Sequence, residues 1–191
     1  MTKSILLVGV GGQGTILASK LLTIGLRKSG YDVKMSEIHG MSQRGGSVSS
    51  QVRYGEKVES PVIELGGADM LVSFEKMEAL RWLEYLRKYG GKVVVNDYKI
   101  NPMPVVSGTA EYSDQVLDEL KKHVSDITII NAFDEAAALG NPRVLNIVIL
   151  GTIIKMMDLS EVNWDDIIAG EVRANFVELN QKALAAGMRL V

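Results

Sequence analysis

An apolar strand that runs directly into a glycine-rich turn and then into a helix constrains this chain more than any other feature. The run SILLVGV, residues 4–10, is typical of a short, buried parallel strand. Gly9, Gly11 and Gly14 follow the spacing G-x-G-x-x-G, and from Gln13 onward apolar residues recur at helical spacing. A strand, a tight turn and a helix in this order predict the start of a doubly wound α/β sheet.

Strand-like and helix-like segments alternate along the rest of the chain. Strands are predicted over residues 4–10, 32–38, 47–55, 69–74, 92–97 and 126–132. Helices are predicted from residue 13 to a stop at Gly30 and over 75–89, 113–123, 133–139, 144–157, 164–170 and 172–186. Ser113 is the expected cap of the third helix, whereas Pro102 and Pro104 argue against a helix within residues 98–108.

This alternation predicts an α/β fold. We expect a three-layer, Rossmann-like domain with a mostly parallel sheet, helices on both faces and a helical C-terminal third. No segment has the composition of a linker, so residues 1–191 are expected to form a single domain. The carboxyl ends of parallel strands meet at one edge of such a sheet, which is where ligands and partners bind.

The composition excludes several classes of function. The 191 residues include no cysteine and only two histidines, His39 and His123, which are far apart in sequence. Disulfides, a thiol nucleophile and a cysteine-ligated iron–sulfur cluster on this chain are therefore excluded, and no metal site is expected. The formal charge of -2 and the lack of a long apolar run argue against nucleic-acid and membrane partners and favour a cytoplasmic protein.

Each glycine of the turn has an expected role. Gly9 would permit the sharp turn, Gly11 would let backbone approach a ligand or a neighbouring chain, and Gly14 would let the helix pack closely on the sheet. The amides of residues 12–15 lie where a helix N-terminus can hold an anion. Glu37 lies 23 residues beyond Gly14, where an acid that binds a ribose would be found.

Three interpretations of this turn remain open on the residues alone. It binds NAD, as an oxidoreductase or a nucleotide sensor; it is a structural turn without a nucleotide; or it binds another anionic group or a partner subunit. The chain is short for a cofactor domain plus a substrate domain, and it offers few groups for proton transfer. These two points argue against a complete dehydrogenase.

A second glycine-rich segment, GMSQRGGS at residues 40–47, discriminates better between the interpretations. Its three glycines, which allow backbone conformations that other residues avoid, are Gly40, Gly45 and Gly46. Between them lie three side chains able to bind oxyanions or amides: Ser42, Gln43 and Arg44. The alternative for this segment is a flexible strand connection with a solvated arginine.

Three stretches of the sequence together resemble one known family. They are GVGGQG at residues 9–14, EIHGMSQRGGSVSSQVRYGE at 37–56 and SPVIELGGADMLVSFEKMEALR at 60–81. These stretches are similar to the small subunit of indolepyruvate:ferredoxin oxidoreductases and, more broadly, to the gamma subunit or domain of 2-oxoacid:ferredoxin oxidoreductases. The similarity extends from residue 4 to the end of the chain and is densest over its first half.

The resemblance implies a complex that oxidatively decarboxylates a 2-oxo acid, with coenzyme A as co-substrate, to an acyl-CoA, carbon dioxide and reduced ferredoxin. It places no cofactor on this chain: thiamine diphosphate, Mg²⁺ and iron–sulfur clusters belong to a large partner subunit, through which ferredoxin is reduced. The sequence agrees independently, because it lacks cysteine and the G-D-G…N-N pattern of thiamine enzymes. We therefore expect a chain that is inactive alone and that can form a homodimer when isolated.

The expected ligand- or partner-binding residues belong to the two glycine-rich segments, and none is expected to be catalytic. They are Gly9, Gly11, Gly12, Gln13, Gly14, Thr15, Ser42, Gln43, Arg44, Gly45 and Gly46. Arg44 is the expected contact for a phosphate or carboxylate, and Gln13 and Thr15 are expected to offer hydrogen bonds beside the helix terminus. Phe74, Glu75 and residues 96–104 are expected to form the outer wall of the same sheet edge.

Overall fold

A computed structural model describes residues 1–39 and 45–191, and its centre is a six-stranded sheet of order β2-β3-β1-β4-β5-β6. The strands are β1 (Lys3–Val10), β2 (Asp32–His39), β3 (Ser47–Gly55), β4 (Met70–Ser73), β5 (Lys92–Asn96) and β6 (Ile127–Ile130). β1, β4, β5 and β6 pair in parallel, whereas β3 pairs antiparallel with both β1 and β2. The predicted, mostly parallel sheet is therefore confirmed.

Helices cover both faces of this sheet, as the sequence predicts. They are α1 (Thr15–Lys28), α2 (Lys76–Arg81), α3 (Met103–Val106), α4 (Val116–His123), α5 (Ala132–Ala138), α6 (Leu145–Met156), α7 (Trp164–Glu171) and α8 (Val177–Met188). Alternate residues of β1 point to opposite sides, so Ile5 and Leu7 pack with α1 and the C-terminal helices while Leu6 and Val8 pack with α2 and α4. No helix in the described residues is long and apolar enough to cross a bilayer.

The antiparallel strand β3 separates β1 from β2, although these two strands flank α1 in sequence. Its predicted alternation is confirmed, since Val52 and Tyr54 face α1 and the polar residues that alternate with them, Gln51 and Arg53, face the other way. That polar face is covered rather than solvated. The side-chain oxygen of Gln51 accepts a hydrogen bond from the Ile63 amide at 2.6 Å, and Arg53 donates to the carbonyl oxygen of Ser60 at 3.0 Å.

Three local predictions are wrong. The helix expected over 75–89 ends at Arg81 and continues only as a 3-10 turn, Leu83–Tyr85. Helix α4 begins after Gln115, which makes no side-chain cap, so Ser113 is not its cap. The prolines do not exclude a helix: α3 begins directly after Pro102, with Pro104 in its first turn, where backbone amides have no partner within the helix.

Candidate functional site

The carboxyl ends of five strands, β1, β2, β4, β5 and β6, meet at one edge of the sheet. The glycine turn lies at this edge because it follows β1, and Gly45 and Gly46 lie there because they precede the start of β3, which is antiparallel to β1. Residues 74–75, 97–98 and 131–132 leave the neighbouring strands at the same edge. This is the edge at which open α/β sheets bind ligands and partners.

The structure joins the two predicted segments directly. The Gly11 amide donates to the Gly46 carbonyl oxygen at 2.8 Å, and the Gly45 amide donates to the Gly11 carbonyl oxygen at 3.4 Å. The close backbone approach expected of Gly11 is thus made to the second segment of the same chain. Ser42, Gln43 and Arg44 lie outside the described residues, and their predicted contacts stay predictions.

The left-handed backbone conformation that the turn requires is adopted by Gly12 and Gly14 and not by Gly9. Gly12 has φ 102° and Gly14 has φ 82°, both in the left-handed region. Gly9 is the penultimate residue of β1, where a Cβ would lie 2.9 Å from Gln13 Oε1 and 3.0 Å from Phe74 Cβ. Gly9 therefore leaves room for Gln13 to fold back on the strand, so its contribution to the turn is space and not a left-handed backbone.

Gly14 packs against helix α6, whereas we expected it to let α1 pack closely on the sheet. It caps α1, and a Cβ at this position would lie 2.6 Å from Asn146 Nδ2. The same Asn146 nitrogen donates to the Gly14 carbonyl oxygen at 3.2 Å. Asn146 lies in the first turn of α6, so this hydrogen bond fixes the glycine turn against the start of the central C-terminal helix.

The crevice between β1 and β4 is filled by a side chain of the turn itself. Because α1 covers one face and α2 the other, this crevice is the switch point of the sheet, where ligands bind in many doubly wound folds. Gln13, only 9% exposed, accepts from the Val10 amide at 2.8 Å and donates to the Phe74 carbonyl oxygen at 2.9 Å. A ligand that used the Gln13 amide would have to replace these hydrogen bonds.

Asn96 extends the same network to the next two strands. It is fully buried at the end of β5, donates to the Phe74 carbonyl oxygen at 3.1 Å and accepts from the Ala132 amide at 2.9 Å. Two side-chain amides, those of Gln13 and Asn96, therefore hold the ends of β1, β4 and β5 and the start of α5 in one arrangement.

Replacing Asn96 with alanine is expected to destabilise the protein by about 2–4 kcal/mol. The change removes two buried hydrogen bonds and leaves the Ala132 amide and part of the Phe74 carbonyl without a partner. Urea denaturation followed by circular dichroism measures the effect, with the exposed Asn101→Ala as control. Equal midpoints for the two variants would contradict the role given to Asn96.

Two buried carboxylates at the start of α2 anchor the loops on either side. Glu78, 2% exposed, accepts hydrogen bonds from the Ser47 hydroxyl, from Arg81 Nη1 at 3.0 Å and from Trp82 Nε1 at 3.3 Å. Ser47 is the last residue of the second glycine-rich segment and the first residue of β3. Glu78 therefore ties the end of that segment to α2.

Glu75 anchors the loop that follows β5. Its carboxylate accepts from the Glu78 amide at 3.0 Å, from the Ile100 amide at 3.2 Å and from the Tyr112 hydroxyl. Burial raises the pKa of the Tyr112 hydroxyl, and the hydrogen bond to Glu75 raises this pKa further. The tyrosine thus stays protonated as the donor, and the wall expected from Glu75 and residues 96–104 is held rigidly at the edge.

A cleft opens on each side of the glycine turn. The smaller, about 290 Å³, lies between the start of α1 and strands β2 and β3 and is lined by Gly11, Gly12, Gly14, Thr15, Ile16, Glu37, Ile38, Val48, Ser49 and Ser50. The larger, about 530 Å³, is lined by Gly11, Gly12, Gln13, Gly14, Tyr98, Ile100, Phe133, Pro142, Arg143 and Leu145. Within residues 1–39 and 45–191, no group of three acidic or histidine side chains is placed to hold a metal ion.

Several residues of this edge were not found by sequence reasoning. Phe133, Arg143 and Asn146 meet the turn only through the folding of distant segments. Asn96 belongs to the stretch expected as the outer wall, but its hydrogen bonds to the Phe74 carbonyl oxygen and the Ala132 amide were not predicted.

Comparison with known proteins gives a consistent result over nearly the whole chain. Residues 4–190 match the model of a family described as pyruvate ferredoxin/flavodoxin oxidoreductase. The chain is 36% identical to the indolepyruvate oxidoreductase subunit IorB of Archaeoglobus fulgidus, over 98% of this chain and 94% of that protein. It is 37% identical to the protein of the same name from Thermococcus kodakarensis, over 97% and 94% of the two chains.

A solved structure agrees at the level of the fold. The gamma subunit of a keto/oxoacid ferredoxin oxidoreductase from Geobacter sulfurreducens superposes with a TM-score of 0.70 at 23% identity. The superposition covers 98% of this chain and 97% of that subunit.

Proposed function

The chain belongs to the pyruvate ferredoxin/flavodoxin oxidoreductase family, and on that premise we propose that it is the small, gamma-type subunit of an indolepyruvate or other aryl-pyruvate:ferredoxin oxidoreductase. The proposed complex converts an aryl 2-oxo acid and coenzyme A to an acyl-CoA and carbon dioxide and passes the electrons to ferredoxin. The observation that carries the proposal is the 36% identity to an indolepyruvate oxidoreductase subunit over almost the full length of both chains.

The residues of this chain do not fit the redox cofactors of such a reaction. Iron–sulfur clusters need cysteine thiolates, and the sequence has none. The G-D-G…N-N pattern with which thiamine enzymes hold magnesium and diphosphate is also missing from the sequence. In the proposal, thiamine diphosphate, Mg²⁺ and the clusters therefore belong to a large partner subunit, and ferredoxin is reduced there.

The proposed contribution of this subunit is a docking wall at the carboxyl edge of the sheet. The glycine turn and Gly45–Gly46 form one backbone unit, which Asn146 fixes to α6 and Ser47 fixes to α2 through Glu78. A surface that is fixed on both sides loses little conformational entropy when it binds a partner. We propose that residues 42–44 contact the partner, coenzyme A or the anionic substrate at this wall.

Changing Gly12 to alanine is expected to lower ferredoxin reduction by the reconstituted complex at least about tenfold. The φ of 102° is strained for any L side chain, so the turn would shift, and misplacement of binding groups has large effects on rate. Gly30→Ala is the matched control: its φ is 86°, no atom lies within 4 Å of a Cβ at either position, and Gly30 follows α1 at the opposite end of the helix.

Both variants are expected to lose about 1 kcal/mol of stability, so only the difference in activity and in co-elution with the large subunit tests the wall. An equal loss of activity in the two variants would remove the glycine turn from the proposed interface.

We further propose that the complex is cytoplasmic, which cell fractionation tests. We also propose that the isolated subunit is a homodimer, which sedimentation tests.

A further inference from the structure

The larger cleft presents an aromatic surface that the docking role does not require. Tyr98, from the loop after β5, and Phe133, from the first turn of α5, stack with ring centroids 4.9 Å apart and an interplanar angle of 19°. Both rings line the cleft opposite the glycine turn. A stacked pair of half-exposed rings leaves an outer ring face and ring edges open, and another ring can pack against them.

The backbone holds this surface in place. The Tyr98 amide donates to the Asn96 carbonyl oxygen at 2.7 Å, and the Tyr98 carbonyl oxygen accepts from the Lys76 amide at 3.1 Å. The side chain of Asn96 binds the Ala132 amide, directly before Phe133. These hydrogen bonds fix the backbone from which both rings project.

One cation, Arg143, completes the cleft. It lies in the 3-10 turn Pro142–Val144, where its amide donates to the Asn141 side chain at 3.0 Å. Its side chain is exposed, and no carboxylate of the described part of the chain lies within 4.0 Å of its guanidinium. The carboxylate of Asp97, the residue before Tyr98, is paired with Lys76 at 2.9 Å.

The remaining wall combines the open backbone of the glycine turn with the side chains of Gln13, Ile100, Pro142 and Leu145. The glycine turn contributes Gly11, Gly12 and Gly14, which have no side chains to fill the space. The volume of about 530 Å³ lies within the range of small-molecule sites. An exposed aromatic surface, one guanidinium fork and the open space beside the glycine backbone together match a planar ring that carries a carboxylate.

We propose that this cleft binds an aryl carboxylate, with the ring of the ligand against Tyr98 and Phe133 and its carboxylate on the guanidinium of Arg143. The choice of an aryl 2-oxo acid as the natural ligand rests on the proposed function. In the complex, the small subunit would then contribute part of the preference for aromatic 2-oxo acids by binding the substrate before it reaches the thiamine-bearing subunit.

Calorimetric titration of the full chain with phenylpyruvate and with pyruvate tests the proposal without the partner. Phenylpyruvate is expected to bind at least about tenfold more tightly than pyruvate, which has no ring. Arg143→Gln should weaken phenylpyruvate binding about tenfold or more through loss of the charged hydrogen bonds. Phe133→Leu should weaken it less and should reduce the preference over pyruvate.

Arg189→Gln is the matched control, because it removes the same charge from an exposed site at the end of α8, outside the cleft. Arg143→Gln is an exposed change and is expected to leave the melting temperature unchanged, so a loss of binding reports on the cleft. Within the reconstituted complex, the same variant should raise KM for the aryl 2-oxo acid with little change in kcat.

Three results would overturn the proposal. They are no binding of phenylpyruvate to the chain, equal weakening by Arg143→Gln and Arg189→Gln, and an Arg143→Gln variant that loses only its affinity for the large subunit. The last result would make the cleft a partner contact. Failure of the proposed function would appear separately, as a complex that does not oxidise aryl 2-oxo acids although the chain binds phenylpyruvate.

Discussion

Gly187→Ala is expected to lower the free energy of unfolding by about 3 kcal/mol. Helices α6 and α8 cross so closely at this point that a Cβ on Gly187 would lie 1.8 Å from the Val148 carbonyl oxygen. That atom is backbone and cannot rotate away, so the helices must separate, as in overpacked cores. Alanine gains about 1 kcal/mol in helix propensity over glycine, which is too little to offset the clash.

Gly170→Ala is the matched control for this prediction. Gly170 also lies in a helix, α7, but no atom is found within 4 Å of a Cβ there. This variant is expected to gain up to about 1 kcal/mol, since only the helix propensity changes. Urea denaturation of both variants gives the comparison, and a Gly187→Ala variant as stable as the native chain would show that α6 and α8 do not cross as described.

The contact between α6 and α8 also matters for the sheet edge. Gly151 of α6 makes the reciprocal approach, because a Cβ there would lie 2.2 Å from the Leu184 carbonyl oxygen. The same α6 carries Asn146, which binds the Gly14 carbonyl oxygen in the glycine turn. A change in the packing of the C-terminal helices is therefore expected to reach the turn through α6.

Most of the strands could be predicted because they are apolar runs bounded by polar or glycine-rich residues, as in KVVVN of β5, whereas β3 was predicted from its alternation. Their order could not. Alternation along β3 indicates which residues face α1, but it does not indicate which strands lie beside it. The insertion of β3 between β1 and β2 depends on pairing over eight residues on each side, which is a tertiary property.

The early end of α2 has a similar cause. Residues 83–86 continue the apolar pattern of the predicted helix, but their backbone bonds to another segment. The Glu84 carbonyl oxygen accepts from the Gly66 amide at 3.0 Å, and the Tyr85 carbonyl oxygen accepts from the Ala68 amide at 2.8 Å. These long-range bonds compete with helical ones, and no local pattern reveals them.

For the site, the sequence predicted that ligands or partners bind at the carboxyl edge of the sheet through both glycine-rich segments. It also suggested that the first segment binds a nucleotide. The suggestion depended on the G-x-G-x-x-G spacing and on Glu37 at the end of the second strand. Glu37 lines the smaller cleft together with Gly12, but with β3 between them β1 and β2 lie about 10 Å apart, two strand spacings rather than one. The crevice at the switch point is filled by Gln13, so the spacing of the glycines does not by itself indicate NAD binding here.

The largest functional effect is expected from removing the partner subunit. The chain alone is expected to give no measurable oxidation of aryl 2-oxo acids, because its residues fit neither an iron–sulfur cluster nor magnesium–thiamine diphosphate. Adding the large cluster-bearing subunit should produce activity that saturates at a stoichiometric ratio of the two chains. The large subunit alone should be inactive or nearly so, if this chain completes the active-site region.

Ferredoxin reduction by separately purified subunits, assayed with indolepyruvate and coenzyme A, tests the central claim most directly. We predict no reduction by this chain, little by the large subunit and full activity on mixing, together with no heat on titration of this chain with NAD. Turnover of a 2-oxo acid by this chain alone, or tight and saturable binding of NAD, would contradict the account.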